Sequence, residues 1–443
     1  MSTHILQLSP EKFGSLFAQL VSPRKLAALA QQHRSSAAGA KPALSVFWLL
    51  AGLIFHLMQS CGLLSTHVRQ VSGKEFSDSN LSERRQVLGF AMFQALLDLV
   101  LGSIAEANAQ PRAFYKDFLL AGIDGTTLSV SNTPPIKASA KKKTRSRCGA
   151  SAFLKLSMTA IYELGTHNPL AARIGMDGES EMELARLLLP MLRSNWLLIA
   201  DRYYGLPKFI CMLQAVSGNP QFLLRVRSNL KSKCLQTFRD GSRLVEIIDK
   251  TSRQHILLRE IHASVRRRSG KWISVRLWTS LLDTAAHPAK ELVALYGMRW
   301  EQECAFKELK INLRRLPLLL SHTLVTAAQE VACLVLAQTI IARLRLSVAD
   351  KTIPVLQVSF IKTLHVFRSI CELIPILDGL ISSENWPLLI HRISVHLARQ
   401  LSPPRRHRSC PRALRQPVSS WPRLRRNSST TGAFQFKVTR NRS

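Results

Sequence analysis

Three carboxylates and a set of phosphate-seeking side chains carry the chemistry available to this chain. In ELVALYGMRWEQECAFKELK, Tyr296, Arg299, Glu303 and Lys310 follow one another at intervals of three, four and seven residues. At about 100° per residue, all four fall within a stripe roughly 60° wide on a single α-helix. Glu303 sits mid-stripe, with Tyr296 and Lys310 about 20 Å apart on either side of it at roughly 1.5 Å per residue. Leu295, Met298, Ala305, Phe306 and Leu309 fall on an adjoining apolar face. A carboxylate between Tyr, Arg and Lys suits metal chemistry beside a phosphate backbone. An amphipathic helix with a salt-bridged polar face has the same spacing. Two further acids each close a short apolar run: Asp124 ends FLLAGID and Asp201 ends WLLIAD. Open α/β sheets place their sites just past such strand ends. Three converging carboxylates suit one or two Mg²⁺ ions, hard cations that prefer oxygen. Two such ions about 4 Å apart activate a water or a 3′-hydroxyl and stabilise the leaving oxygen of a phosphoryl displacement. Paired carboxylates without metal also serve glycosidases, but a strongly cationic chain has no use for its charge there.

The chain has 443 residues and a formal net charge of +33, which point to two or three domains and a polyanionic partner, nucleic acid first. Eight cysteines without a Cys-x-x-Cys pair and thirteen histidines without ligand-like spacing exclude a zinc ribbon and a disulfide scaffold, and fit a reducing cytosol. The first ten residues lack the basic-then-apolar layout of a signal peptide. Val46–Met58 is the most apolar stretch; at about a dozen residues it is too short for a membrane span of roughly 20 and reads as a buried helix. The expectation is a cytoplasmic, soluble chain when not on its partner, with no membrane role.

Several elements must position these acids. Residues 1–112 read as helical, with a period near 3.6 in Phe13–Leu29 and around Ala43–Leu64, and with Ser79 or Ser82 as the N-cap of a later helix. This block reads as an accessory DNA-binding region or a structural cap. Residues 113–220 alternate strands with helices: FLLAGID, TLSVSN, FLKLSMTAIYEL, LAARIGM, a helix around Glu179–Arg193, then WLLIAD, an α/β layer. Residues 221–283 read as a small basic β-rich insertion that starts at QFLLRVR. Residues 284–347 hold the Tyr-Arg-Glu-Lys segment and a second apolar helix, Leu324–Leu346; residues 348–400 read as helical. The tail 401–443 carries eleven Lys/Arg and no acid, so it should be disordered unless bound. A second basic cluster, KASAKKKTRSR at 137–147 with Lys141, Lys142 and Lys143, suits backbone phosphates or is a solvated loop.

Tyr296-x2-Arg299-x3-Glu303-x6-Lys310 matches without gaps the signature of the IS4-family DDE transposases. IDGTT around Asp124 and IADRYYG around Asp201 resemble that family's two aspartate motifs, and the resemblance covers roughly residues 80–430. It implies an RNase H-like α/β core with a β-rich insertion, preceded by a helical N-terminal domain and followed by a helical, basic C-terminal region. It implies Asp124, Asp201 and Glu303 as ligands of Mg²⁺, for which Mn²⁺ can substitute. It implies Tyr296, Arg299 and Lys310 as holders of transposon-end phosphates, and Trp272 or Trp278 as a stack for a flipped base, although packing in the β core suits either tryptophan too. The resemblance further implies a prokaryotic, nucleoid-associated enzyme acting on terminal inverted repeats and target DNA, as a homodimer when two ends are synapsed. A catalytically inactive DNA-binding copy of the same fold, or a nuclease without strand transfer, would keep much of this sequence.

Overall fold

The protein is described by a computed structural model covering residues 18, 20–33, 46–59, 62–139, 145–146, 149–150, 153–176, 178–266, 272–314, 316–377, 380, 382, 384–403 and the short strands at 413–414, 423–424 and 435–438. It is a mixed α/β structure around one large sheet. Five strands make its first half: β1 (Phe118–Ser129), β2 (Lys155–Glu163), β3 (Asn168–Gly175), β4 (Trp196–Ala200) and β5 (Gln221–Arg225). Their spatial order is β3-β2-β1-β4-β5; the first three run antiparallel, and β4 and β5 run parallel to β1. The continuous apolar runs of β1 and β4 follow from burial on both faces. Leu119, Ala121 and Ile123 point into one core with Trp196, Leu198 and Phe222, while Leu120 points into the opposite one with Leu197, Ile199 and Leu223.

The sheet does not stop at β5. β6 (Lys233–Thr237), β7 (Arg243–Ile248), β8 (His255–Arg266) and β9 (Trp272–Thr279) extend it in the order β5-β9-β8-β7-β6, all antiparallel. Gln221–Arg225, read from sequence as the first strand of the insertion, pairs in parallel with β4. β10 (Gln435–Val438) pairs with the end of β8, so this part of the tail forms a strand where disorder was expected. Most of the remaining tail, like Lys141, Lys142 and Lys143, lies outside the described residues.

The N-terminal block forms α1 (Pro23–Gln32), α2 (Val46–Met58), α3 (Leu64–Ser72), α4 (Asp78–Leu88) and α5 (Ala91–Val100). Helix α4 is capped by Ser77, whose side chain accepts from the Asn80 amide, and not by Ser79 or Ser82. Two short helices, α6 (Glu181–Leu188) and α7 (Pro207–Gln214), cover one face of the α/β layer, and α8 (Ala289–Tyr296) covers the other. Next come α9 (Arg299–Lys307), a π-helical turn at Glu308–Leu313, α10 (Leu324–Ser347), α11 (Phe360–Leu377) and α12 (Trp386–Ala398).

Helix α10 is the spine of a third core, where α2 and α5 meet the far half of β1, β2 and β3. It is long and apolar enough to cross a membrane by length and composition, yet 94% of its most apolar window is buried inside the protein. Its polar side chains are spent on inward hydrogen bonds: Gln338 accepts from Tyr162 Oη at 2.7 Å and donates to the Ala305 carbonyl at 3.0 Å. Polar groups placed this way in a dry core fix register, because each would be costly if left unpaired.

Candidate active site

The register of β1 and β4 brings the first two acids together. Gly122 pairs with Ile199 at the end of the parallel ladder. Two residues further along each strand stand Asp124 and Asp201, on the same side of the sheet because side chains alternate with period two. Asp201 follows the last residue of β4, as the sequence suggests, but Asp124 is not past a strand end. Strand β1 continues through it to Ser129, since its antiparallel ladder with β2 persists after the parallel one with β4 has ended. Asp124 instead marks where β1 passes from fully buried to half-exposed.

Each aspartate is oriented by a backbone amide just after it. The Gly125 amide donates to Asp124 Oδ1 at 2.9 Å, and the Tyr203 amide donates to Asp201 Oδ1 at 2.7 Å. Burial, then the neighbouring Glu181 carboxylate, push the Asp124 carboxyl up to about 7, with Asp201 adding to the rise and the Gly125 amide and Arg299 opposing it. A group so raised stands among negative charges that are incompletely neutralised.

Glu181 is the residue that the sequence reading missed. It opens helix α6, whose N-cap Ser180 forms a reciprocal capping box with Glu183. Its Oε1 accepts from the Gly125 amide at 3.1 Å and from Tyr204 Oη at 2.7 Å. Burial and Asp201 raise its carboxyl, against the hydrogen bonds from Tyr204 and Gly125 that lower it. The Ser-x-x-Glu box was a legible sign of a helix start here, but nothing in it ties Glu181 to two aspartate motifs 57 and 20 residues away.

The signature segment faces this cluster in a form that differs from the single ideal helix expected. Helix α8 ends at Tyr296, and the amides of Gly297, Met298, Trp300 and Glu301 each donate to the carbonyl three residues earlier, a tightened turn that runs into the start of α9; Lys310 lies in the π-helical turn. A tight turn overwinds the stripe and a π turn underwinds it. Arg299 Nη2 lies 2.5 Å from Glu303 Oε1, and Arg299 also acts electrostatically on Asp124. Tyr296 is near Arg299, Arg225, Asp201 and Asp124; burial pushes its hydroxyl up to about 12, and its Oη is buried without a hydrogen-bond partner among the described residues. Lys310 Nζ reaches back to Thr126 Oγ1 at 3.0 Å, and its pKa is lowered by burial and by Arg314 and Lys155.

On the opposite side of the same helix, Glu301 and Glu308 clamp the buried His167. Its Nε2 is 3.0 Å from Glu301 Oε2, and its Nδ1 is 3.0 Å from Glu308 Oε2, in ion-pair contact but off the line of a hydrogen bond. Arg345 of α10 pairs with Glu308 from behind. The signature helix is thereby locked to the β2–β3 hairpin and to the central helix.

The two tryptophans separate. Trp278 is fully buried, with Nε1 donating to Glu260 Oε2 at 2.9 Å, which is a core role and not one open to a base. Trp272, at the start of β9, is 41% exposed.

A family described as "Transposase DDE domain" matches residues 120–340, the span from β1 into α10 that holds Asp124, Asp201, Glu303 and the signature. The chain belongs to the DDE transposase family. It is 26% identical over 213 residues to the transposase InsG for insertion sequence element IS4 of Escherichia coli (strain K12); the match covers 47% of this chain and 48% of that protein. The IS4-type signature and this relative agree. This chain is also similar, at 13% identity and a TM-score of 0.41, to a piggyBac transposase synaptic complex with hairpin DNA, over 91% of this chain and 87% of the other, a likeness too distant to define the fold.

A DDE domain implies a divalent metal, and the donors here fit a hard cation in kind. Asp124, Asp201 and Glu181 offer only carboxylate oxygens, and their repulsion is what a cation would relieve. They are not closed around one point: among the described residues, no three Asp, Glu, His or Cys side chains stand together as a ready metal cage. The Glu303 carboxylate is engaged by Arg299.

Proposed function

We propose that this protein is a transposase that cuts the ends of its own insertion element and joins the freed 3′ ends to target DNA, with Mg²⁺, or Mn²⁺ in its place. The observation that carries this reading is the pairing of strands β1 and β4, which brings Asp124 and Asp201 to corresponding positions, with the Arg299 guanidinium acting electrostatically on Asp124. Asp124, Asp201 and Glu303 would hold the cation. When bound, it supplies activation of the attacking water or 3′-hydroxyl and stabilisation of the leaving oxygen. The Gly125 and Tyr203 amides hold the two aspartates in fixed rotamers, so the acids are oriented before DNA arrives.

The remaining signature residues would hold the scissile strand. Arg299 offers a planar fork to a phosphate, and the Tyr296 hydroxyl, unpartnered among the described residues, has a donor left for a phosphate oxygen. Lys310, with Lys155 and Arg314 close by, makes a run of positive charge beside the acidic cluster. The exposed Trp272 is the better candidate for stacking a flipped base. The strand order, three antiparallel strands followed by two parallel ones, supports the RNase H-like reading of the core. The N-terminal helices are assigned to end recognition, Lys141, Lys142 and Lys143 to backbone contacts, and a homodimer to synapsis, in a prokaryotic cytoplasm on the nucleoid.

The test is incubation of the purified chain with Mg²⁺ and a labelled duplex bearing the inverted repeats that flank its gene. Cleavage at the repeat boundary, lost in Glu303→Gln, is the expected result. Tight binding without cleavage would instead make this a DNA-binding copy of the fold, and cleavage without joining would make it a nuclease.

A further inference from the structure

The signature helix is fastened on the side away from its Glu303–Lys310 stripe. At about 100° per residue, Glu301 lies roughly 160° round the helix from Glu303. Glu308 precedes Lys310 by the same two residues. Both rear carboxylates converge on one side chain, His167: Glu301 Oε2 is 3.0 Å from its Nε2, and Glu308 Oε2 is 3.0 Å from its Nδ1. Glu301 belongs to α9 and Glu308 to the π-helical turn, so the clamp grips the segment on either side of the point where its winding changes.

His167 is itself held firmly. It closes the turn between β2 and β3 at φ 60°, a left-handed backbone that a side chain keeps only where its surroundings impose it. Its amide donates to the Glu163 carbonyl at 2.9 Å, Thr166 Oγ1 donates to Glu163 Oε1 at 2.6 Å, and its own side chain is 3% exposed. The turn is a rigid mount, and it extends the strand whose Ala160 pairs with Asp124.

The helix meets this ladder at a second point. Gln302, next to Glu303, is buried, and its Nε2 donates to the Ala160 carbonyl at 3.4 Å. Its side chain lies against Gly122, where a Cβ would stand 2.8 Å from Gln302 Oε1 and 2.6 Å from Leu164 Cδ2. Gly122, Asp124 and Thr126, which receives Lys310 Nζ, alternate onto one face of β1. The Gln302 contact sets the spacing of helix and strand, but alone it leaves the helix free to roll about its axis. A roll of about 10° carries a side-chain tip, roughly 5–6 Å from the axis, through about 1 Å. A misplacement of that size can cost ~100-fold in rate.

We infer that His167 is a positioning residue for DNA cleavage: by gripping Glu301 and Glu308 it fixes the rotation of the signature helix, and with it the placement of Glu303 and Lys310 relative to Asp124. This rests on the reading of the signature residues and Asp124 as the cutting machinery.

The test is His167→Gly with imidazole added back to the space the ring leaves. Glycine adopts φ 60° freely, so the variant loses the ring and keeps the turn. Single-turnover cleavage of a saturating end duplex in Mg²⁺ gives the rate of the bound complex, and fluorescence anisotropy gives Kd. The expected result is a rate roughly 10–100-fold below the wild type, an unchanged Kd, and a rate that recovers with imidazole, which leaves the wild type unaffected. If the variant, folded by circular dichroism, cuts at the wild-type rate, or loses affinity and not rate, the proposal fails with the cutting reading intact. It fails equally if imidazole leaves the rate low, whether or not the melting temperature recovers, because His167 then supports the fold alone. A wild type that cuts no end duplex removes the cutting reading and this proposal with it. Should His167→Gly not fold without imidazole, His167→Asn takes its place, since asparagine tolerates the left-handed backbone but brings no charge to the two carboxylates. A wild-type rate in that variant overturns the proposal.

Discussion

Arg299 and Glu303, one turn apart on the signature helix, hold each other: Nη2 stands 2.5 Å from Oε1. The same guanidinium lowers the proton affinity of Asp124, so it is a counter-charge to an acidic cluster that otherwise repels itself. An arginine so placed cannot grip a DNA phosphate bidentately and keep this pair at full strength. Binding of DNA and release of Glu303 are therefore coupled.

Removing Glu303 should then strengthen DNA binding where removing Arg299 weakens it. Arg299→Ala is expected to lower affinity for an end duplex and to reduce the slope of log K against log salt by about one, the signature of one lost phosphate contact. Glu303→Ala is expected to bind as tightly as the wild type or more so, while being inactive. Fluorescence anisotropy across a salt series measures both. A weaker complex with Glu303→Ala would refute the coupling.

Asp124→Asn should stabilise the metal-free protein. Burial, then Glu181, raise the folded-state pKa of Asp124 from 3.8 to about 7, so the folded chain binds this proton more tightly than the unfolded one. Stability from this group is thus highest at low pH and falls as pH rises from about 4 to about 7. By neutral pH the charge costs roughly 2–4 kcal/mol, at ~1.4 kcal/mol per unit and allowing for partial exposure. Urea melts with EDTA at pH 5 and pH 8 should show the wild type losing stability where Asp124→Asn does not. Equal loss in both would mean that the acids are not strained against one another.

The chemistry was more legible in the sequence than its support. Asp201, Glu303, Arg299 and Lys310 could be picked out because their spacing is local and their residue types are specific to phosphate and metal. Glu181 could not be tied to them, because what brings it beside Asp124 is the arrival of Gly125 and Tyr204 from other segments. The continuous helix failed for a related reason. A period of 3.6 assumes one geometry throughout, whereas the backbone hydrogen bonds tighten the chain at Gly297–Glu301 and widen it at Glu308–Leu313. The end of β1 was misplaced because a strand with an antiparallel neighbour on one side and a parallel one on the other has two ends. Strand composition reveals neither partner, so the single sheet joining the α/β layer to the β-rich region was hidden as well.

His167 should make the fold sensitive to alkaline pH. Burial alone would lower its pKa, but Glu308 and Glu301 outweigh that and raise it above 6.5. Its contribution is fully present below 6.5 and is lost as pH rises through the folded-state value. His167→Gln leaves Glu301 and Glu308 facing each other in a dry site and is expected to cost about 3–5 kcal/mol at neutral pH. It should also abolish the alkaline loss, which a pH series of thermal melts would reveal. A variant that kept the wild-type pH profile would show that the clamp is not charged.

The two tryptophans of β9 should part ways in a paired experiment. Trp278 is enclosed by the sheet core, and burial works against the charge of Glu260, yet His262, Trp278 and Arg276 hold that carboxyl down to about 2. Trp278→Ala opens a large cavity and strips a donor from a buried carboxylate, so it is expected to cost about 3–5 kcal/mol of stability. Trp272→Ala, at an exposed strand end, is expected to stay within roughly 0.5 kcal/mol of the wild type. If Trp272 stacks a flipped base, its loss should instead reduce the fluorescence change of a 2-aminopurine placed at the element's end, because an unstacked base gains one to three kcal/mol from an aromatic face. Urea denaturation and the fluorescence titration together separate the roles. A Trp278→Ala protein as stable as the wild type would overturn the core assignment, and an unchanged 2-aminopurine signal in Trp272→Ala would remove that residue from the site.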